Sequence, residues 1–153
     1  MNKYMENFKN KLNKGGYKIT NQRKVIYDVL MKNTGEHLSP EEIFELVREV
    51  DSDIGIATVY RTTKLFEEVK ILSKVLFNDG CARYEIVLSE DDEHRHHHLL
   101  CSKCGKIVEV KIDHLNELEE LIEKEYDFEI HNHSLKFYGL CSDCKKEKTN
   151  DNK

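Results

Sequence analysis

Residues 39–68 read SPEEIFELVREVDSDIGIATVYRTTKLFEE. The stretch opens on a strongly marked helix start. Ser39 stands at the N-cap, Pro40 at the first helical position and Glu42 three residues after the cap, which is a capping box. Ile43, Leu46, Val47 and Val50 then recur at helical spacing and predict a buried stripe. Gly55 separates this pattern from a second one, in which Val59, Thr62, Phe66 and Val69 share one side. Tyr60, Arg61 and Lys64 point elsewhere. Two helices joined by a glycine-containing turn have the order of a helix-turn-helix.

The flanking residues extend this reading. Upstream, Met5, Phe8 and Leu12 predict a short helix ended by Gly15-Gly16. Thr20 caps another, with Val25, Ile26, Val29 and Leu30 on its apolar face. Downstream the period changes. SKVLF (73–77) and ARYEIV (82–87) alternate as strands, and Asn78-Asp79-Gly80 supplies a hairpin turn. Helices followed by a hairpin make a winged helix-turn-helix. In that fold the fourth helix would enter a DNA major groove, with Tyr60 and Arg61 at base edges and phosphates. Lys18, Arg23, Lys24 and Lys64 would add phosphate contacts. The competing interpretation is a helical bundle with ordinary surface charges.

The second half carries different chemistry. HHLLC (97–101) and KIVEV (106–110) read as two strands joined by a Cys-x-x-Cys-Gly turn. Leu115, Leu118, Leu121 and Ile122 mark an amphipathic helix after Asp113, and EIHNHSLKFYGLC (129–141) alternates as a long strand. Cys101-x-x-Cys104 and Cys141-x-x-Cys144 are separated by 36 residues. Two such knuckles suit one tetrahedral zinc bound by four thiolates, a closed structural site with no open position. His96 and His98 lie on one face of their strand and His97 on the other, so two metal sites are geometrically natural. His133 and several carboxylates are further donors. Taken singly, His37 reads as a surface histidine, Glu85 as a wing charge and Glu109 as an exposed strand residue. Cys81, the fifth cysteine, reads as a small apolar filler.

Charge is asymmetric along the 153 residues. Residues 1–32 hold eight Lys/Arg against two Asp/Glu, while residues 85–129 hold fourteen Asp/Glu against five Lys/Arg. The net charge of −5 therefore covers a basic start, suited to a polyanion, and an acidic second half. No apolar run approaches the roughly 18 residues needed to span a bilayer. MNKYMENFKNKLNK lacks the apolar core of a secretory signal, so a cytoplasmic location is expected. In a reducing compartment, five cysteines favour metal ligation over disulfides. The polar tail KKEKTNDNK is expected to fray. The predicted architecture is α+β. It comprises a winged-helix DNA-binding domain (1–87), a hinge (88–95), a small α/β dimerisation and metal-binding domain with the four-cysteine zinc site (96–147), and a tail (148–153). The small second domain buries little core alone, which points to a homodimer.

Five segments taken in order resemble the ferric uptake regulator (Fur) family of bacterial metal-sensing repressors. They are ITNQR (19–23), IATVYRTTKLFEE (56–68), RYE (83–85), HRHHHLLCSKCGKIVEV (94–110) and NHSLKFYGLCSDC (132–144). Asn21 stands where proline is common in that family. The resemblance implies that Cys101, Cys104, Cys141 and Cys144 are structural zinc ligands. It also implies that His37, Glu85, His96, His98 and Glu109 form a regulatory metal site between the domains. His97 and His133 match two ligands of a third family site. There Arg95 replaces a usual histidine and Asn116 a usual glutamate, with Glu117 or His94 as substitutes.

Three histidines and two carboxylates suit Fe(II) or Mn(II), and zinc accepts the same ligands. Peroxide sensors of the family usually place an aspartate at the Glu85 position, so Glu85 with Glu109 favours an iron sensor. The expected function is a homodimeric, Fe(II)-dependent repressor of metal-homeostasis genes acting on a palindromic DNA operator, not an enzyme. Alternatives within the family are a peroxide sensor working by histidine oxidation and a zinc-uptake repressor, the latter kept open by Cys81. A metallohydrolase built on His96, His98 and Glu109 is the alternative from another class.

Overall fold

The structure is a computed structural model and describes residues 2–76, 80–88, 97–112 and 114–150. The chain divides into two compact units, Met1–Glu90 and Asp91–Lys153. In the first, α1 (Asn2–Lys14), α2 (Asn21–Lys32), α3 (Pro40–Val50) and α4 (Ile56–Glu68) precede a hairpin of β1 (Leu72–Leu76) and β2 (Ala82–Ile86). The strands pair antiparallel, from Leu72 opposite Ile86 to Leu76 opposite Ala82. The turn residues Asn78 and Asp79 lie outside the described residues.

Local chemistry sets these boundaries. The Thr20 hydroxyl accepts from the Arg23 N–H at the start of α2. At α3 the capping box is complete: Glu42 N–H donates to Ser39 Oγ, and Ser39 N–H donates to Glu42 Oε2. Helix α1 ends with Tyr17 N–H bonded to the Leu12 carbonyl and Gly16 at φ +75°, the left-handed residue such a terminus needs. Helix α4 ends the same way through Ile71 N–H and the Phe66 carbonyl, but Lys70 occupies the left-handed position at φ +58°. The Lys11 ammonium donates to the Lys70 carbonyl at 2.6 Å, tying α1 to that terminus.

The core of this unit gathers Phe8 and Leu12 from α1, Ile26 and Leu30 from α2, Ile43 and Val47 from α3, and Val59 and Phe66 from α4. Phe8 stacks on Tyr27 at 4.1 Å between ring centroids and meets Phe66 edge-on at 5.7 Å. Two sequence expectations are corrected. Val50 is 58% exposed rather than part of the buried stripe, because α3 ends there and Asp51 continues extended past the core. Cys81 is exposed rather than a filler, because it precedes the paired part of β2 at an end of the hairpin where Leu76 is exposed too.

In the second unit β3 (His97–Cys101) is central, antiparallel to β4 (Ile107–Val110) and parallel to β5 (Lys136–Gly139). Helix α5 (Asn116–Tyr126) lies between β4 and β5 in sequence, which is the crossover a parallel pair requires. The long strand expected over 129–141 is shortened to Lys136–Gly139. The tail expected to fray is instead helical through Asn150, in α6 (Ser142–Asn150). The hinge expected at 88–95 falls almost wholly outside the described residues. No helix among the described residues is long and apolar enough to cross a membrane.

Candidate metal centres and nucleic-acid interface

The knuckles are built by backbone. Cys101 closes β3, and the Gly105 N–H donates back to its carbonyl at 2.9 Å. Gly105 has φ +72°, a conformation that the tight return towards β4 demands and a side chain would strain. The second knuckle runs from Cys141 into the first turn of α6, where Cys144 is buried. The four sulfurs lie within 4.8 Å of one another, with Cys104 and Cys141 3.7 Å apart. Tetrahedral zinc–sulfur bonds of about 2.3 Å put sulfurs about 3.8 Å apart, so the cluster fits zinc.

The electrostatics suit a cation. Backbone N–H groups of Cys104 and then Cys141, the latter at 3.3 Å, hold the Cys101 thiol down to about 6. Burial first, and then the neighbouring sulfurs, push Cys144 up to about 12. One thiolate is thus ready-made, while the last is costly without a divalent ion beside it. Lys103 pairs with Glu147 at 2.8 Å and Lys106 with Asp143 at 3.4 Å, so both knuckle lysines reach α6.

The remaining predicted metal ligands come from both units. In the first unit, Leu38 and Tyr84 form an isolated antiparallel bridge with hydrogen bonds of 3.0 and 2.8 Å. That bridge sets the preceding residue, His37, against the following one, Glu85, and His37 Nε2 lies 3.2 Å from Glu85 Oε2. In the second unit, His98 stands opposite Glu109 across β3 and β4. His94, Arg95 and His96 lie outside the described residues. His97 is buried, with its ring 5.4 Å from that of His133. The carboxylate on His133 is Glu119, at 2.6 Å between Nδ1 and Oε1, whereas Glu117 is exposed. Sequence reading missed Glu119. Helix α5 starts at Asn116, and which carboxylate of its first turn meets the His133 loop depends on that start.

On α4, Tyr60, Arg61 and Lys64 are exposed together. The Tyr60 hydroxyl donates to Glu41 in the first turn of α3, and Arg61 donates to Thr58 Oγ1 at 3.3 Å. Lys18 is exposed, and its carbonyl accepts from the Arg23 guanidinium, which also lies 5.9 Å over the Tyr17 ring. Arg23 therefore buttresses the segment that presents Lys18.

A winged helix in one unit and a four-thiolate cluster in the other define a class, the DNA-binding metalloregulators. Comparison with known proteins identifies the family. The Ferric uptake regulator family pattern matches residues 14–138, and the chain belongs to that family. It is 40% identical over 149 residues to the Ferric uptake regulation protein of Bacillus subtilis, covering 97% of this chain and 99% of that one. It is 32% identical over 136 residues to the Peroxide-responsive repressor PerR of Staphylococcus epidermidis, covering 89% and 87%. Among solved structures it is similar to the Helicobacter pylori ferric uptake regulator, described as having three functional metal-binding sites. That match has a TM-score of 0.80 and 30% identity, covering 94% of this chain and 93% of that one. Proteins of this family are metal-binding transcription regulators and not enzymes.

Proposed function

We propose that this chain is a homodimeric, Fe(II)-responsive repressor that binds a palindromic operator in the cytoplasm and controls metal-homeostasis genes. The observation that carries the reading is the His37–Glu85 pair, 3.2 Å apart and set by the Leu38–Tyr84 bridge. Two donors are too few for Fe(II) or Mn(II), which take around six ligands of nitrogen and oxygen type. His98 and Glu109, cross-strand neighbours in the second unit, supply two more, and His96 a third. Joint ligation by residues of both units restricts the hinge, and so raises the population of dimers whose α4 helices fit successive major grooves. In this reading Lys18 reaches the minor groove, and Tyr60 and Arg61 read the major groove, with Arg23 and Lys64 nearby.

Cys101, Cys104, Cys141 and Cys144 hold structural zinc. His97, His133 and Glu119 are candidates for a further metal position, with Glu119 in place of Glu117. Dimerisation is supported by the apolar surface of the second unit. Val108, Leu99 and Phe137 are cross-strand neighbours and all exposed. A second copy of the chain would cover them.

The test is operator binding by His96→Ala. Fe(II)-dependent binding should be lost or shifted to at least tenfold higher metal, the minimum expected when even supporting groups of a metal site cost 10–100-fold. Unchanged binding would remove His96 from the switch. Similarity to the peroxide-responsive repressor supports a second reading, in which His37 and His96 are oxidised beside bound iron. Mass spectrometry after dilute peroxide separates the two, because only a peroxide sensor gains oxygen at those histidines.

A further inference from the structure

Tyr60 differs from its neighbours on the exposed face of α4. Arg61 and Lys64 carry only hydrogen-bond donors, whereas the phenol has one donor hydrogen and an oxygen that also accepts. Beside a duplex, that hydrogen would find its strongest acceptor in a phosphate, where the bond is charge-assisted but carries no sequence information.

In the folded chain the hydrogen is already committed. The Tyr60 hydroxyl donates to Glu41 Oε1. Glu41 follows Pro40 in the first turn of α3, whose position is set by the Ser39–Glu42 capping box. The Tyr60 hydroxyl is the main cause, and the backbone and Ser39 lesser ones, that hold the Glu41 carboxyl below its usual range. The carboxylate in turn raises the Tyr60 phenol above its ordinary value, so the bond is in place throughout the neutral range. What Tyr60, a residue 46% exposed, still offers is a ring and an oxygen able only to accept. The ring suits a thymine methyl, and the oxygen suits the amino group of adenine or cytosine. A carboxylate at that spot also repels any phosphate that approaches it.

We propose that Glu41 is a specificity-determining positioning residue: by taking the Tyr60 hydroxyl hydrogen, it withdraws that side chain from phosphates and commits it to base edges. The inference rests on the proposed docking of α4 into DNA.

The test uses the full-length, zinc-containing, metal-activated dimer and two probes. One is a duplex selected from a randomised pool by the wild-type protein, and the other is a scrambled duplex of equal length. The readout is the ratio of the two binding constants. Glu41→Ala and Glu41→Gln remove the same charge, but only Gln keeps an acceptor for Tyr60. The ratio should fall about fivefold further in Glu41→Ala than in Glu41→Gln, as expected for loss of one neutral hydrogen bond. That difference should vanish when Tyr60→Phe is added to both. A purely structural effect on α3 would alter both probes alike and leave the ratio unmoved. Equal ratios for the Ala and Gln variants, or a difference that survives Tyr60→Phe, would overturn the inference alone. A wild-type protein that selects no duplex would overturn the DNA-docking reading, and the inference with it.

Discussion

His37 and Glu85 are unremarkable as single residues, and the sequence offers no local reason to bring them together. The cause is one isolated bridge between Leu38 and Tyr84, formed by a loop residue and a wing strand. Propensity and periodicity act over a few residues and do not register a two-residue bridge of this kind. Only the family resemblance singled the pair out. The four cysteines were legible for the opposite reason, since knuckle spacing is itself the geometric requirement. At this scale Tyr27 provides a clean test. Burial pushes its phenol up to about 12, whereas an unfolded tyrosine ionises near 10. Below about pH 10 both states are neutral and stability is unaffected. Between about 10 and 12 the unfolded state ionises first, so folding weakens as pH rises. The urea midpoint of the wild type should therefore fall more steeply over that range than that of Tyr27→Phe. Parallel curves would show that Tyr27 is not responsible.

Among elements, α3 was legible almost to the residue because three independent signals coincide at Ser39, Pro40 and Glu42. Its C-terminal end was not. Val50 continues the apolar spacing but lies past the core, and spacing reports phase rather than depth. The strand is shorter than the expected 129–141 because alternation persists through residues that make no ladder, and pairing with β3 covers only Lys136–Gly139. Helix α6 is not legible in the sequence because its polar residues carry little amphipathic signal. Its start coincides with the second knuckle, and its Asp143 and Glu147 meet lysines of the first. Such exposed pairs are screened by solvent and contribute little, so zinc ligation rather than charge pairing is expected to order this end. Structural zinc contributes on the order of 10 kcal/mol to folding of small domains. Cys141→Ser should therefore drop zinc from one to none at this site and unfold the second unit, leaving α1–α4 helical. Elemental analysis with circular dichroism checks this. A variant that keeps its fold without zinc would show the metal to be dispensable.

The whole molecule is two units of unequal self-sufficiency. The first buries a core drawn from four helices and a hairpin. In the second, the buried apolar residues among those described are Leu100, Cys101 and Cys144, while Leu118, Leu121, Phe128 and Phe137 are exposed. Helix α5 forms where its amphipathic pattern predicts, yet Leu118 and Leu121 are not buried within the chain. A sequence shows that a face is apolar without showing whose surface covers it. If a second copy does, Leu99→Asp combined with Phe137→Asp should convert dimer to monomer in sedimentation while zinc content is kept. A dimer that survives both changes would place the interface elsewhere.

In the proposed switch, metal bound by His37, Glu85, His96, His98 and Glu109 controls DNA binding, with Fe(II) as the signal. The decisive measurement is operator binding by the zinc-containing dimer, titrated anaerobically with Fe(II), Mn(II) and Zn(II) in turn. Little specific binding is expected before addition, followed by saturable activation by Fe(II) that is lost in Glu85→Ala. Specific binding that needs no added metal, or that responds to Zn(II) alone, would rule out an Fe(II) switch at this site.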